Sequence, residues 1–129
     1  ASDVYKRQID ILKPLFRYLQ VNLKNIPPNR AQIPMVAFNY ARELEIVKRY
    51  DDAIEIAEYA KKICIDYGVY TSLSGILMIL AECYYHLEDF EKSIELYRQS
   101  YYLFKIIEDD RNLIIIKTEA KEFLDLELD

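Results

Sequence analysis

An internal repeat constrains the fold of this chain most strongly, because two of its segments match each other position by position. Residues 37–64 read AFNYARELEIVKRYDDAIEIAEYAKKIC, and residues 77–104 read LMILAECYYHLEDFEKSIELYRQSYYLF. Small and large apolar residues coincide in the pairs Ala41 and Ala81, Leu44 and Tyr84, Tyr50 and Phe90, Ala53 and Ser93, Ile54 and Ile94, Ile56 and Leu96, and Ala60 and Ser100. Small side chains let two antiparallel helices approach closely, and an aromatic ring can close the end of such a hairpin. The repeat therefore predicts stacked helical hairpins.

The first hairpin is bounded by recognisable start and stop signals. Apolar residues spaced three and four apart predict a helix over residues 34–47. Asp51 and Asp52 place negative charge in the first turn of the next helix, and Gly68 supplies a left-handed stop. These signals predict a helix pair that ends at Gly68.

The second hairpin follows directly. Thr71 or Ser72 is expected to cap a helix that runs to Leu87. Asp89 is expected to cap the following helix, which continues to Ile107.

A further helix is predicted on each side of the two repeats. Residues 4–26 have a helical pattern that Pro14 should kink or split, and the Pro-Pro-Asn run at 27–29 should end it. Asp109 and Asp110 should open a final helix over residues 110–127, where Ala120 follows Ala81 at nearly the spacing of the repeat. The charged stretch 122–129 is expected to form the polar outer face of a terminal cap. The whole chain, residues 1–129, is then one all-α domain of six or seven helices without a sheet.

Composition supports this fold and limits the partners. The chain is 52% hydrophobic and 30% charged, with two glycines and four prolines, a mixture that suits long helices and short loops. Its net charge is −5, with acids and bases interleaved, so these residues are not expected to contact nucleic acid directly. No apolar run is long enough to span a bilayer, and no signal peptide is recognisable, which favours the cytoplasm. The first residue is Ala1, which leaves room for a further upstream segment.

Catalytic and metal-binding chemistry has few candidates. His86 is the only histidine, and it lies one helical turn after Cys83. A metal site needs three or four ligands and a thiol nucleophile needs an oriented base, so the better interpretation is a buried thiol beside a surface imidazole. Cys83 and Cys64 are expected to be reduced core thiols. Neither a GxGxxG nor a GK[ST] motif occurs, and we expect no cofactor, no metal and no enzymatic activity.

The repeated pattern resembles the tetratricopeptide repeat (TPR), in which small residues alternate with large apolar and aromatic ones along a helix pair. The matching segments are 34–67 and 74–107. The usual tryptophan is replaced by Ala37 and Leu77, the usual glycine by Lys48 and Glu88, and the usual proline by Ile65 and Lys105. The resemblance implies antiparallel hairpins stacked as a right-handed superhelix.

The period of the repeat in this chain exceeds the family's usual period of about 34 residues. Together with the richness in Ile and Tyr, it resembles the C-terminal repeat domain of Gram-positive Rgg/PlcR-like transcription regulators. In those proteins an N-terminal helix-turn-helix binds DNA, and the repeat domain dimerises and receives a signalling peptide. The resemblance implies a ligand-sensing and dimerisation domain whose DNA-binding part would lie upstream of Ala1. The alternative is a free-standing adaptor that joins two proteins, and an enzyme with Cys83 as nucleophile is a remote third.

In a TPR stack the first helix of each hairpin lines a concave groove. The resemblance places there Met35, Ile46, Gly75 and Ile79, together with the predicted peptide-binding residues Phe38, Asn39, Arg42, Glu45, Met78, Glu82, Tyr85 and His86. Asn39 and Arg42 are the expected polar contacts and Tyr85 the aromatic anchor. The competing interpretation is that Asn39 satisfies a neighbouring helix end and Arg42 pairs with a nearby Glu on its own helix.

The last predicted feature is a dimer interface. Residues 113–116, LIII, form an apolar run wider than one buried stripe needs, so one side of the final helix should be covered by a second copy.

Overall fold

Six α-helices form the computed structural model, which describes residues 2–22 and 32–129. The helices are α1 Ser2–Val21, α2 Gln32–Ile46, α3 Tyr50–Tyr67, α4 Tyr70–His86, α5 Phe90–Ile106 and α6 Asp110–Leu124. No strand occurs in the described ranges, so the all-α prediction is confirmed there. None of the described helices is long and apolar enough to cross a bilayer.

The helices from α2 onward are joined by turns of one kind at an even spacing. Lys48, Gly68, Glu88 and Glu108 have φ values of 65°, 70°, 65° and 57°, and one of them follows each helix from α2 to α5. In the turn after α4, the Glu88 amide donates to the Tyr85 carbonyl and the Asp89 amide to the Tyr84 carbonyl, at 3.0 and 2.9 Å. This is the Schellman arrangement, in which a left-handed residue ends a helix. The unit of the fold is therefore one helix plus one turn, and two such units make up the period seen in the sequence.

The predicted cap at Asp89 is confirmed, and Asp109, which was expected to open the last helix together with Asp110, is its N-cap. Asp89 accepts a hydrogen bond from the Lys92 amide at 3.3 Å, and Asp109 accepts one from the Asn112 amide at 3.2 Å. The prediction that Thr71 or Ser72 caps α4 is wrong. The N-cap is Val69, which has no side-chain oxygen, because the turn closed at Gly68 starts the helix earlier. The predicted stop at Gly68 is confirmed.

Packing follows the order of the chain, and α4 lies at the centre. Each helix packs against the next, and α2 also packs against α4. Because α4 contacts α2, α3 and α5, it contributes the longest run of buried residues, from Ile76 to Cys83. Ala41 and Ala53 are fully buried, as the close approach of α2 and α3 requires. Cys64 and Cys83 are buried free thiols, which confirms their predicted state.

Several terminal predictions need correction. Pro14 lies inside α1, which is continuous from Ser2 to Val21 and ends before the predicted residue 26. The expected break at residues 27–29 lies outside the described residues. At the other end, α6 stops at Leu124 because Asp125 adopts a left-handed conformation with φ 52°. The charged residues at 122, 125, 127 and 129 are exposed, as the predicted polar outer face requires, while the intervening Leu126 and Leu128 are 9% and 2% exposed and belong to the core.

Candidate binding groove

A pocket between α2 and α4 is the first part of the candidate site. We call it the α2–α4 pocket; it has a volume of about 270 Å³ and is lined by Met35, Phe38, Arg42, Thr71, Ser72, Ser74, Gly75, Met78, Phe104, Asp109 and Asn112. Gly75 lines the pocket next to the Phe38 ring. A Cβ there would lie 2.8 Å from the Phe38 ring, a distance that forces the ring to move. The absence of a side chain at Gly75 therefore sets the position of Phe38.

The second part is a cluster of charged side chains beside this pocket. The Arg42 guanidinium donates to Glu45 at 2.8 Å and to Glu82 at 2.9 Å. The side chains of Glu45 and Glu82 are only 10% and 8% exposed, whereas that of Arg42 is 34% exposed. Arg42 also lies 5.6 Å from the centroid of the Phe38 ring, within cation–π range. The bond between Arg42 and Glu45 matches the competing interpretation of the sequence, in which Arg42 pairs with a Glu on its own helix. The bond to Glu82 on α4 adds a link between the two repeats.

Two residues from later helices complete this cluster. The Tyr97 hydroxyl of α5, which is fully buried, donates to Glu119 of α6 at 2.9 Å. Burial and a hydrogen bond shared with Glu82 raise the pKa of Glu119 to about 8. Burial also raises the pKa of Glu82 to about 7, and that of Glu45 in the same direction. Three carboxyl groups thus face one guanidinium, so the cluster retains protons at a pH where an exposed glutamic acid is ionised.

The third part is a group of aromatic rings at the C-terminal ends of α4 and α6. The Tyr85 ring stacks on Phe123 with centroids 4.4 Å apart, and His86 stacks on Tyr50 at 4.7 Å. Phe90 approaches Tyr85 at 5.8 Å. Tyr85 is therefore half-buried between its neighbours.

Most of the predicted peptide-binding residues come together in these three parts. The α2–α4 pocket contains Phe38, Arg42 and Met78, the charged cluster contains Glu45 and Glu82, and the aromatic group contains Tyr85 and His86. Asn39 is separate, because it lines a depression between α1 and α2 with Gln8, Ile11, Leu12 and Glu43. Ile79 is fully buried and lines none of the three. We use "the groove" for the pocket and the charged cluster together.

Sequence reasoning missed Glu119, Tyr97 and Phe123. These residues reach the site only because α5 and α6 fold back beside α4, a long-range arrangement that local patterns do not report. The spacing of four between Glu119 and Phe123 places both on one face of α6, and this was the available signal.

The chemistry of Cys83 fits a structural role. The thiol is fully buried, and burial raises its pKa above the ordinary range. A thiolate is the reactive form, so this environment suppresses nucleophilic attack. Within residues 2–22 and 32–129, no group of three His, Cys, Asp or Glu side chains is placed to hold a metal ion.

Comparison of the chain with protein-family models, with curated proteins and with solved structures gave no match.

Proposed function

We propose that this chain is a TPR-like module, coiled as a right-handed superhelix, whose groove binds an extended peptide or the tail of a partner protein. The α2–α4 pocket carries the proposal. Its lining includes Met35, Phe38 and Arg42 of the first repeat and Gly75 and Met78 of the second, five positions that the TPR resemblance assigns to the concave face. A groove that spans two repeats presents its contacts along a line, as an extended ligand requires.

The composition of the pocket suits a peptide side chain. Met35 is 56% exposed, and Met78 and Phe38 lie beside it. Methionine side chains are flexible and polarisable, so they adapt to ligands of different shape. Thr71, Ser72 and Asn112 at the same pocket add hydroxyl and amide groups that can bond to a peptide backbone.

Arg42 provides a positively charged hydrogen-bond donor at a fixed position in the groove. Two carboxyl groups hold the guanidinium in place, and a third of the side chain remains exposed toward solvent. A guanidinium fixed in this way loses little side-chain entropy when it binds a carbonyl or carboxylate of a ligand. Tyr85 and His86 form an aromatic wall beyond the cluster, and here Tyr85 contributes through its stacked ring face.

We further propose that the module serves as the ligand-sensing and dimerisation domain of a cytoplasmic bacterial transcription regulator of the Rgg/PlcR-like type. The support is the resemblance in repeat period and composition given above. The alternative is a free-standing adaptor that needs no DNA-binding partner. Reading the coding sequence upstream of Ala1 separates the two, since a basic helix-turn-helix there supports the regulator and a start codon adjacent to Ala1 supports the adaptor.

A homodimer through α6 is part of the same proposal. Ile114 and Ile115 are 68% and 43% exposed, whereas Ile116 is fully buried in the core. Two exposed isoleucines side by side favour burial against a second copy. Light scattering on wild type and on Ile114→Lys tests this, with a dimer expected only for wild type. A wild-type monomer at tens of micromolar protein contradicts the dimer.

Enzymatic activity is not part of the proposal, because the buried Cys83 lacks the exposure and the depressed pKa that a nucleophile needs. The groove is tested by selecting peptides from a displayed library against the intact chain. Binding of the selected peptides is then titrated with wild type, Met35→Gln and Ile65→Gln.

Ile65→Gln is the matched control for Met35→Gln. Met35 lies in the groove, while Ile65 lies on α3 outside it and is 51% exposed, close to the 56% of Met35. We expect Met35→Gln to weaken binding about tenfold and Ile65→Gln to leave it unchanged. Peptides that bind both variants as they bind wild type, or a library that yields no binder, would exclude the groove as the binding surface.

A further inference from the structure

A second cavity lies between α1, α2 and α3, and none of its described lining residues also lines the α2–α4 pocket. We call it the α1 cavity. Its volume is about 450 Å³, inside the range of about 300–1,000 Å³ typical of sites for small molecules. It is independent of the groove, so the peptide proposal does not explain it.

Three aromatic side chains meet at this cavity. Phe16 of α1 contacts Tyr40 of α2 and Tyr59 of α3, with ring centroids 5.7 and 5.4 Å apart, and the second pair is edge to face. Phe16 is only 3% exposed, which holds the group in place. Packed aromatic rings of this kind offer a rigid apolar wall that suits another ring.

Tyr40 brings an unsatisfied polar group to the same wall. The residue is 6% exposed, yet its hydroxyl makes no hydrogen bond in the described part of the chain. Buried hydroxyl groups in proteins usually have a hydrogen-bond partner, and the cavity is where an occupant could supply one. Burial raises the pKa of Tyr40, so the hydroxyl keeps its proton and can act as a donor to an occupant of the cavity.

The charge around the cavity is locally positive in a chain of net charge −5. Lys13 and Arg17 lie one turn apart on α1, are exposed, and form no ion pair with any described residue. Arg49 is paired with Asp52 at 2.9 Å, which leaves Glu55 as the remaining acid among the described residues that line the cavity. Among the described lining residues, three bases against two acids leave an excess of one positive charge, which one monoanion would balance.

We propose that the α1 cavity binds a small aromatic monocarboxylate. The ring of the ligand packs against the Phe16, Tyr40 and Tyr59 wall, the carboxylate accepts hydrogen bonds from Arg17 and Lys13, and the Tyr40 hydroxyl donates to one of its oxygens. An uncharged aromatic ligand of the same size gains the ring contact without the charge-assisted hydrogen bonds, which are the stronger ones.

The test uses naphthalene-2-carboxylate as probe and naphthalene-2-methanol as its uncharged counterpart, titrated by calorimetry with the intact chain. We expect saturable one-to-one binding of the carboxylate and binding of the alcohol that is at least about tenfold weaker. Arg17→Gln should weaken carboxylate binding about tenfold, and Tyr40→Phe about threefold or more. Lys6→Gln, on the same helix but outside the cavity, should leave it unchanged.

Two further measurements keep the result decisive. Arg17 is exposed, so Arg17→Gln should leave the melting temperature unchanged. The effect of Arg17→Gln on binding can then be interpreted even if Tyr40→Phe disturbs folding. Met35→Gln, which alters the groove, should not affect the probe, so failure of the groove and failure of this cavity are distinguishable. Absence of saturable binding, equal affinity for the alcohol, or an equal loss in Lys6→Gln would overturn the proposal.

Discussion

The two hairpins share a backbone plan but are held together differently. At two small buried positions of its second helix, the first hairpin has Ala53 and Ala60, and the second hairpin has Ser93 and Ser100. In the second hairpin, the Ser93 hydroxyl of α5 donates to the Ala81 carbonyl of α4, and the Ser100 hydroxyl donates to the Ser74 carbonyl, both at 2.7 Å. Ala53, the counterpart of Ser93, is fully buried without such a bond. Side-chain size sets the approach of the helices, and hydrogen bonding is an addition that one hairpin uses and the other does not.

The hairpins also differ at a charged position. Arg42 and Glu82 occupy equivalent positions in the two copies of the repeat and form an ion pair with each other at 2.9 Å. A strict repeat would have placed like charges there. The difference between the two repeats at this position therefore permits an ion pair that links them, in addition to the packing of α4 against α2 and α3.

The largest expected effect tests the shared backbone plan. Ala53→Leu should force α3 away from α2, and Ser93→Leu should force α5 away from α4. Each should lower the free energy of unfolding by about 3 kcal/mol. Ser93→Leu should cost more, because it also removes the bond to Ala81. Urea unfolding followed by circular dichroism measures both, with the exposed Lys117→Leu as control. An unchanged free energy of unfolding in either variant would show that the helices do not meet at that position.

The next effect concerns the charged cluster that distinguishes the copies. Glu82 and Glu119 have raised pKa values of about 7 and about 8 in the folded chain, above the ordinary value of about 4.3 expected when unfolded. Between those values the folded state binds more protons than the unfolded state, so stability falls as pH rises from about 4.5 to about 8. Glu82→Gln removes one of these groups.

We expect Glu82→Gln to gain about 2 kcal/mol relative to wild type between pH 5 and pH 8. Urea unfolding at several pH values measures this difference. The exposed Glu95→Gln should track wild type across the same range. If the difference between Glu82→Gln and wild type does not change with pH, the carboxyl at Glu82 is ionised in the folded chain, contrary to the raised pKa.

A smaller effect isolates the hydrogen bonds of the second hairpin. Ser93→Ala makes this position like Ala53 and should lower the free energy of unfolding by about 1 kcal/mol, since a buried hydroxyl bond is lost while the Ala81 carbonyl keeps its helical partner. Ser72→Ala, in the first turn of α4, serves as control. No loss of stability in Ser93→Ala would mean that the two hairpins are energetically alike at this position.

The smallest effect should be the same in both hairpins. Lys48→Gly and Glu88→Gly should each raise the free energy of unfolding by about 0.5–1 kcal/mol, because glycine adopts a positive φ without the strain of a Cβ. Gly68→Ala should have the opposite sign. A loss of stability in both glycine variants would show that the turns are not in the left-handed conformation.

Local signals gave the correct helix order and several boundaries. Capping by Asp89 and Asp109 and the stop at Gly68 depend on residues within one turn of the boundary, so the sequence carries them directly. The predicted end of α6 was wrong because Asp125 takes a left-handed conformation, which a glycine in the sequence usually marks. Its consequence, the burial of Leu126 and Leu128, could then not be foreseen.

The candidate site was predictable only where a single helix determined it. Phe38 and Arg42 share one face of α2, and their proximity follows from helical spacing. The stacking of Phe123 on Tyr85 and the approach of Glu119 to Glu82 depend on how α6 lies against α4, which no local pattern specifies. The α1 cavity depends in the same way on the packing of α1 against α2 and α3.

The left-handed residues at 48, 68, 88 and 108 also imply a rule for how such a chain can grow. Each step of one helix and one turn reverses the direction of the chain. A duplication of two such steps therefore leaves every later helix in its original orientation, whereas a duplication of a single step would reverse the direction of every later helix. Gene lengthening that preserves the fold should then proceed in pairs of helices, which is the length by which the two hairpins of this chain repeat.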